Sequence, residues 1–214
     1  MGFYVIQGQY DDGSHAALRK RYEVIEGKLT TTRVPNCSLH HTFGYSDEDI
    51  TLEEIASVYD LEEDICVIAN GFPPGQSWRR GMKGGDKGEV EEQPRNWALI
   101  DLDYNRNPLK LSAHTHSPSQ LGKAWLSMAG LPPISFLAAR SSSAYVKPEE
   151  LRLHIWVLLE EPMYSEEIKR LFKDVPLPDR SPLRPNQLIF TQLAEAPPEH
   201  IHKLAGPRYE ICER

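Results

Sequence analysis

The segment Trp97-Ala98-Leu99-Ile100-Asp101-Leu102-Asp103 decides how this chain is interpreted. It is an apolar run that ends in two aspartates, a pattern that predicts a buried strand. Because alternate residues of a strand point to the same face, Asp101 and Asp103 are predicted to lie side by side. Two neighbouring carboxylates repel each other unless a cation lies between them, and this spacing suits Mg²⁺ or Mn²⁺. The alternative is a strand that simply runs into a turn at Asp103-Tyr104-Asn105.

A second apolar strand is predicted over residues 151–159. Arg152 and His154 are two positions apart in it and therefore share a face, whereas the residues around them are apolar. Two donor groups on one face of a buried strand indicate a site for an anion such as phosphate. The alternative is a hydrogen-bonded core histidine beside an arginine at the strand's edge.

A third segment, residues 177–191, reads LPDRSPLRPNQLIFT. It places Asp179 in a loop before a short strand, with Arg180 and Arg184 nearby. On composition alone, this segment is typical of a solvated, proline-rich turn.

In this order, the three segments resemble the motifs of the archaeo-eukaryotic primase superfamily, and most of all the primase-polymerase domains of plasmids, phages and mobile elements. The first motif is matched by Asp101 and Asp103, and the third by Asp179. The second is matched by Ser141-Ser142-Ser143 and His154, with Arg152 as a companion, although His154 follows the serines at a longer distance than in tighter members. The resemblance covers roughly residues 95–192.

The resemblance implies a DNA primase and DNA-dependent polymerase that transfers nucleotides from (d)NTPs to a 3′-hydroxyl on a single-stranded DNA template. It also implies partners, namely a primer and a replicative helicase in trans or fused. Two Mg²⁺ or Mn²⁺ ions would be held by Asp101, Asp103 and Asp179. The implied nucleotide-binding residues are Arg152, His154, Ser141 and Ser143.

We predict an α/β or α+β fold with a mixed or antiparallel sheet, because short strands alternate with few helices. The resemblance implies one compound domain with two lobes, an N-terminal α/β lobe (1–94) and an RRM-like lobe (95–214). The predicted strands cover 3–9, 21–29, 65–69, 97–103, 134–139, 151–159 and 188–191, with the second pairing to the first. The predicted helices cover 50–59, 117–128 and 165–172.

A glycine-rich basic loop, residues 71–94, follows the predicted strand 65–69, with Arg79, Arg80, Lys83 and Lys87 close together. Backbone amides of mobile glycines and a nearby aromatic ring suit contacts with phosphate and bases, so we predict that these four cations and Arg184 bind nucleic acid. The alternative is a solvated surface loop, since an acidic run follows at 89–92. No GxxxxGK[ST] motif is present, so no helicase ATPase is expected within this sequence.

The 214 residues carry a formal charge of −7, which excludes a uniformly basic nucleic-acid binder but not a local basic groove. Three widely spaced cysteines exclude a disulfide framework. No apolar run approaches the roughly 18 residues of a membrane span, and the first residues do not resemble a signal peptide. We therefore expect a cytoplasmic, nucleoid-associated protein.

Other functions stay open at this point. Cys37, His40 and His41 are candidate zinc ligands at a spacing unlike that of a standard finger. An HUH-like or metal-dependent replication-initiation nuclease is one alternative. His114-Thr115-His116 resembles the histidine pair of the HUH type, but the flanking residues predict a loop, and Tyr145 and Tyr164 are poor candidates for a helical nucleophile. A catalytically silent nucleic-acid-binding module is a further alternative.

Overall fold

The computed structural model describes residues 4–10, 12–16, 18–32, 39–45, 50–61, 65–68, 77–78, 91–184 and 187–214. Its strands and helices are β1 (Tyr4–Gln9), β2 (His15–Ala16), β3 (Arg21–Ile25), β4 (Lys28–Thr32), β5 (Leu39–Tyr45), α1 (Leu52–Ser57), β6 (Ile65–Ile68), β7 (Ser77–Trp78), β8 (Arg95–Tyr104), α2 (Pro118–Met128), β9 (Phe136–Arg140), β10 (Leu151–Met163), α3 (Ser165–Leu171), β11 (Leu188–Ile189) and β12 (Tyr209–Cys212). All pairings between these strands are antiparallel. The predicted mixed class of helices and antiparallel sheet is therefore confirmed at that level.

A four-stranded sheet with the order β12-β9-β10-β8 forms the centre of the C-terminal part. Its elements follow one another along the chain as β8, α2, β9, β10, α3 and β12. One face packs against α2 and α3, so that Trp125 and Ile168 share a core with Ile100, Leu102 and Ile155. Along the centres of β8 and β10, every second residue points to this face, and these residues are apolar.

The opposite face of the same sheet is also covered. Trp97, Leu99 and Trp156 pack there against Ile55 of α1 and Tyr59, which lies in the 3₁₀ turn Val58–Asp60 after that helix. Because both faces are buried, β8, β9 and β10 are almost continuously apolar at their centres. Charged and polar side chains within these strands are therefore exceptions that need a structural reason.

The N-terminal part forms a second sheet with the order β11-β6-β1-β5-β7, and β2 pairs with β1. Strand β11 comes from the C-terminal part of the sequence and pairs with β6. After residue 187 the chain thus returns to the N-terminal sheet, and the two sheets are joined by more than one connection.

One predicted pairing is wrong. Residues 21–29 were expected to form a single strand beside β1, but they belong to a hairpin in which β3 pairs with β4. The turn at Glu26 and Gly27 has positive φ at both residues, 50° and 73°, as a tight two-residue hairpin turn requires. Strand β1 instead pairs with β2, β5 and β6.

The predicted helices are confirmed. Capping residues explain where α1 and α2 begin. Helix α1 begins after Thr51, which forms a reciprocal capping box with Glu54. Helix α2 begins after Ser117, paired in the same way with Gln120, and Pro118 occupies its first turn. In the part of the chain that the structure describes, no helix has the length and apolar character needed to cross a bilayer.

Candidate functional site

The site is built on the register between β8 and β10. This antiparallel pairing places Asp101 opposite His154 and Asp103 opposite Arg152. All four residues alternate with core residues that face α2 and α3, so they lie on the face that carries Trp97 and Trp156. The structure thus brings four sequence-predicted site residues together on one patch of the sheet.

Asp179 reaches the same patch from a loop. Its backbone forms an isolated antiparallel bridge with Asp101. Its two carboxylate oxygens accept hydrogen bonds from the amide and the hydroxyl of Ser181, each at 2.7 Å. Arg180 fixes the loop from the other side by donating to the carbonyl oxygens of Phe172 and Val175 at 3.2 and 3.0 Å. Arg180 therefore holds the loop in place.

Asp101 lies in a setting that disfavours its charge. Burial raises the pKa of its carboxyl to about 6, and the neighbouring Asp179 carboxylate adds to the rise. Lys20 and Arg152 partly oppose this effect. A mostly buried carboxyl next to another carboxyl is stabilised in its ionised form when a cation binds between them.

Arg152 is surrounded by oxygen acceptors. It forms an ion pair with Asp103 and another with Glu150. Its Nε donates to Glu150 at 2.6 Å, and its Nη2 donates to Asn105 Oδ1 at 3.2 Å. Burial lowers the pKa of Arg152, while Tyr22 and Asp101 act in the opposite direction. The guanidinium is thus held in a fixed orientation at the edge of the aspartate pair.

The surroundings of His154 disfavour its charged form. Burial lowers its pKa to about 3, with further lowering from Lys20 and Arg208. Its Nδ1 lies 2.8 Å from the hydroxyl of Tyr59. Its Nε2 lies 3.7 Å from Oδ1 of Asp101, which is too long for a hydrogen bond.

The three carboxylates have the donor chemistry that Mg²⁺ and Mn²⁺ prefer. Asp103 is nevertheless paired with Arg152, and Asp179 is engaged by Ser181. In the described ranges, no group of three or more histidine, cysteine or acidic side chains is arranged so that it could hold a metal ion. The three carboxylates therefore have suitable donor chemistry for a divalent cation, but among the described residues they are not arranged as a formed metal-binding group.

The predicted serines lie directly after β9. The amide of Ser141 donates to the carbonyl oxygen of Arg152 at 3.1 Å, which ties the serine turn to β10. Ser143 is fully buried, and its carbonyl oxygen accepts from the amides of Val146 and Lys147. In this arrangement the serine segment forms a tight turn beside Arg152.

Sequence reasoning missed Lys20 and Tyr59. Lys20 precedes β3, and its carbonyl oxygen accepts from the amide of Glu195 at 2.9 Å. Its ammonium influences the pKa of both Asp101 and His154, so it lies near the site. Both residues come from the N-terminal part, far from the motifs along the chain, and no spacing rule links them to the motifs.

The structure describes only some of the remaining candidate residues, namely the predicted nucleic-acid contacts and the candidate zinc ligands. Of these, Arg79, Arg80, Lys83, Lys87 and Cys37 lie outside the described residues. Only the backbone of His40 and His41 is described, in β5. Arg184 is exposed and caps the 3₁₀ turn Ser181–Leu183, immediately after the Asp179 loop.

The alternative histidine pair lies on a turn and not on a strand. His114 and His116 fall within residues 113–116, and the His114 Nδ1 lies 3.0 Å from the carbonyl oxygen of Lys203. Tyr145 is in a turn, and Tyr164 is the residue before α3. The placement therefore lacks the strand and helix that the nuclease arrangement would need.

No protein-family model matches this chain, and neither a curated protein nor a solved structure matches it. The resemblance to primases therefore depends on the sequence motifs alone.

Proposed function

We propose that this chain is the catalytic domain of a primase-polymerase of the mobile-element type. The observation that supports the proposal is the register of β8 and β10, in which each aspartate of the pair faces one predicted phosphate-binding residue. Nucleotidyl transfer requires carboxylates and phosphate-binding groups within the reach of one triphosphate. Neighbouring positions on two paired strands meet this requirement.

In this proposal, the incoming nucleotide competes for Arg152. Its guanidinium pairs with Asp103 and Glu150 in this structure. Phosphate oxygens are equally good partners for a guanidinium, so a bound triphosphate would draw Arg152 from Asp103 and leave that carboxylate free to bind a cation. Arg152 would thus couple nucleotide binding to the assembly of the acidic site.

His154 and Lys20 would complete the phosphate contacts. The neutral imidazole of His154 would donate a hydrogen bond to a phosphate oxygen. The ammonium of Lys20, which lowers the pKa of both Asp101 and His154, would add a positive charge. Asp101, Asp103 and Asp179 would hold Mg²⁺ or Mn²⁺, which would activate the primer's 3′-hydroxyl and stabilise the charge on the leaving pyrophosphate. The two-lobed, RRM-like architecture, the single-stranded template and a helicase partner belong to the same proposal.

A second candidate is a catalytically silent nucleic-acid-binding module. The ion pairs of Arg152 with Asp103 and Glu150 favour it, because they neutralise the acidic pair without a metal. The described residues contain no group of acidic, histidine or cysteine side chains already arranged to hold a metal ion, which is compatible with a module that binds nucleic acid without catalysis.

Extension of a labelled primer on a single-stranded DNA template, with dNTPs or NTPs and Mg²⁺ or Mn²⁺, distinguishes the two candidates. We expect extension by the wild type and none by Asp101→Ala or Asp179→Ala. Asp174→Ala is the matched control, since Asp174 is exposed beyond the end of α3, and it should extend normally. Absence of extension by the wild type, with retained binding to single-stranded DNA, would favour the silent module.

A further inference from the structure

Three buried side chains form a hydrogen-bonded row that ends at the candidate site. The indole Nε1 of Trp156 lies 2.8 Å from the hydroxyl of Tyr59, and that hydroxyl lies 2.8 Å from Nδ1 of His154. Their relative exposures are 1%, 1% and 4%. Because the indole N–H, the phenol and Nδ1 are enclosed by the protein, their hydrogen bonds must be satisfied within it.

The positions of the protons in this row follow from the chemistry of the three groups. An indole N–H can only donate, so the Tyr59 oxygen accepts from Trp156. The phenol then has its own proton to donate, and burial raises the pKa of Tyr59, so that proton is retained. Among the described residues, the acceptor within hydrogen-bond distance of this hydroxyl is Nδ1 of His154. Nδ1 therefore carries a lone pair, and the ring proton lies on Nε2.

The other forms of the imidazole fit the row less well. With a proton on Nδ1, both the indole and the imidazole would donate to Tyr59, and the phenolic proton would lose its acceptor. The same tautomer would turn the lone pair of Nε2 towards Asp101 Oδ1, 3.7 Å away. A buried polar hydrogen without a partner costs free energy comparable to the loss of a hydrogen bond.

We propose that Tyr59 is a positioning residue that holds His154 in the Nε2–H tautomer, so that the imidazole presents a neutral donor to an anionic phosphate oxygen bound beside Asp101. Trp156 supports Tyr59 by donating a hydrogen bond to its oxygen. The identity of the anion rests on the proposed function, whereas the tautomer rests on the hydrogen bonds alone. Tyr59 follows α1, so the tautomer of a residue in the C-terminal sheet is set from the N-terminal part.

The tautomer can be measured directly by long-range ¹H–¹⁵N correlation spectra of ¹⁵N-histidine-labelled protein at neutral pH. His154→Gln identifies the signals by their absence. We expect an unprotonated Nδ1 and a protonated Nε2 in the wild type. A protonated Nδ1 in the wild type would overturn the proposal, and this result does not depend on whether any variant folds.

Two variants test the role of the phenol. Tyr59→Phe removes its proton, so we expect a substantial population of the Nδ1–H form. Trp156→Phe leaves the phenolic proton in place, so the Nε2–H tautomer should persist. An unchanged tautomer in Tyr59→Phe, or an equal loss in both variants, would show that packing and not the phenolic proton determines the tautomer.

Addition of a dNTP to the labelled wild type tests the anion separately. We expect the Nε2–H resonance to shift, and Tyr59→Phe to raise the KM for the nucleotide about tenfold with a smaller change in kcat. An unmoved resonance together with the expected tautomer would overturn phosphate binding by His154 and count against the proposed function. A wrong tautomer would overturn the inference while leaving primer extension to decide the function.

Discussion

His154 and Asp101 lie opposite each other on β10 and β8, with 3.7 Å between the imidazole Nε2 and a carboxylate oxygen. An ordinary ion pair would raise the pKa of the histidine and lower that of the aspartate. Here the shifts are reversed, to about 3 for His154 and about 6 for Asp101, because burial is the largest cause for both. Burial of the pair thus favours the protonated, uncharged carboxyl of Asp101 and the uncharged imidazole of His154. A bound charged ligand would change this balance.

The first prediction concerns the stability cost of Asp101. Its pKa is about 6 when folded against an ordinary value of 3.8, so the folded protein binds an extra proton between these pH values. Stability from this group is lost as pH rises through that window. We expect Asp101→Asn to stabilise the protein by about 2–3 kcal/mol at pH 7.5 but little at pH 4. Urea unfolding at both pH values measures this.

The opposite contribution of His154 cancels in that comparison, because both proteins retain the histidine. Its lowered pKa contributes stability that is lost as pH falls below the ordinary value of 6.5. Asp174→Asn is the control, and its effect should not depend on pH in this way. An equal gain from Asp101→Asn at both pH values would contradict the raised pKa.

The second prediction concerns Lys20, which the motifs do not include. Its ammonium lowers the pKa of both Asp101 and His154. If it also contacts the nucleotide's phosphates, Lys20→Met should weaken dNTP binding by roughly tenfold. Lys28→Met, at an exposed position in β4, should leave the Kd unchanged. Equal Kd values for the wild type and Lys20→Met in an equilibrium titration would remove Lys20 from the site.

The third prediction concerns the basic loop. If Arg79 and Arg80 each contact a phosphate, Arg79→Ala/Arg80→Ala should flatten the slope of log affinity for single-stranded DNA against log salt by about 1.4. The control is Lys169→Ala/Lys173→Ala, because α3 covers the opposite face of the sheet. Parallel salt titrations for the wild type and the arginine variant would indicate that the loop is only a solvated surface.

The fourth prediction concerns the contact between α2 and β9. A Cβ added at Gly122 would lie 2.7 Å from Cε2 of the buried Phe136 ring. Alanine would gain about 1 kcal/mol of helix propensity, but overpacking costs about 1–3 kcal/mol. We therefore expect Gly122→Ala to lower the free energy of unfolding, and the adjacent exposed Lys123→Ala to change it little. Denaturant unfolding that shows Gly122→Ala to be stabilising would mean that Phe136 moves aside.

Local rules predicted much of the C-terminal part. The strand around Asp101, the helix after Ser117 and the strand around His154 follow from apolar periodicity and capping residues, both properties of neighbouring residues. Strand alternation also placed Asp101 beside Asp103, and Arg152 beside His154. By contrast, the turn at Glu26-Gly27 was missed because residues 21–29, with Tyr22, Val24 and Ile25, were interpreted as one strand.

The sequence by itself therefore determined which residues share a face on each strand, because that depends only on the two-residue repeat of a β-strand. Only the tertiary structure decided that Asp103 meets Arg152, that Asp179 bridges to Asp101, and that Tyr59 contacts His154. These contacts join residues far apart along the chain. Their partners are chosen by strand register and by the burial of both sheet faces, which arise when the whole chain packs and which no local pattern encodes.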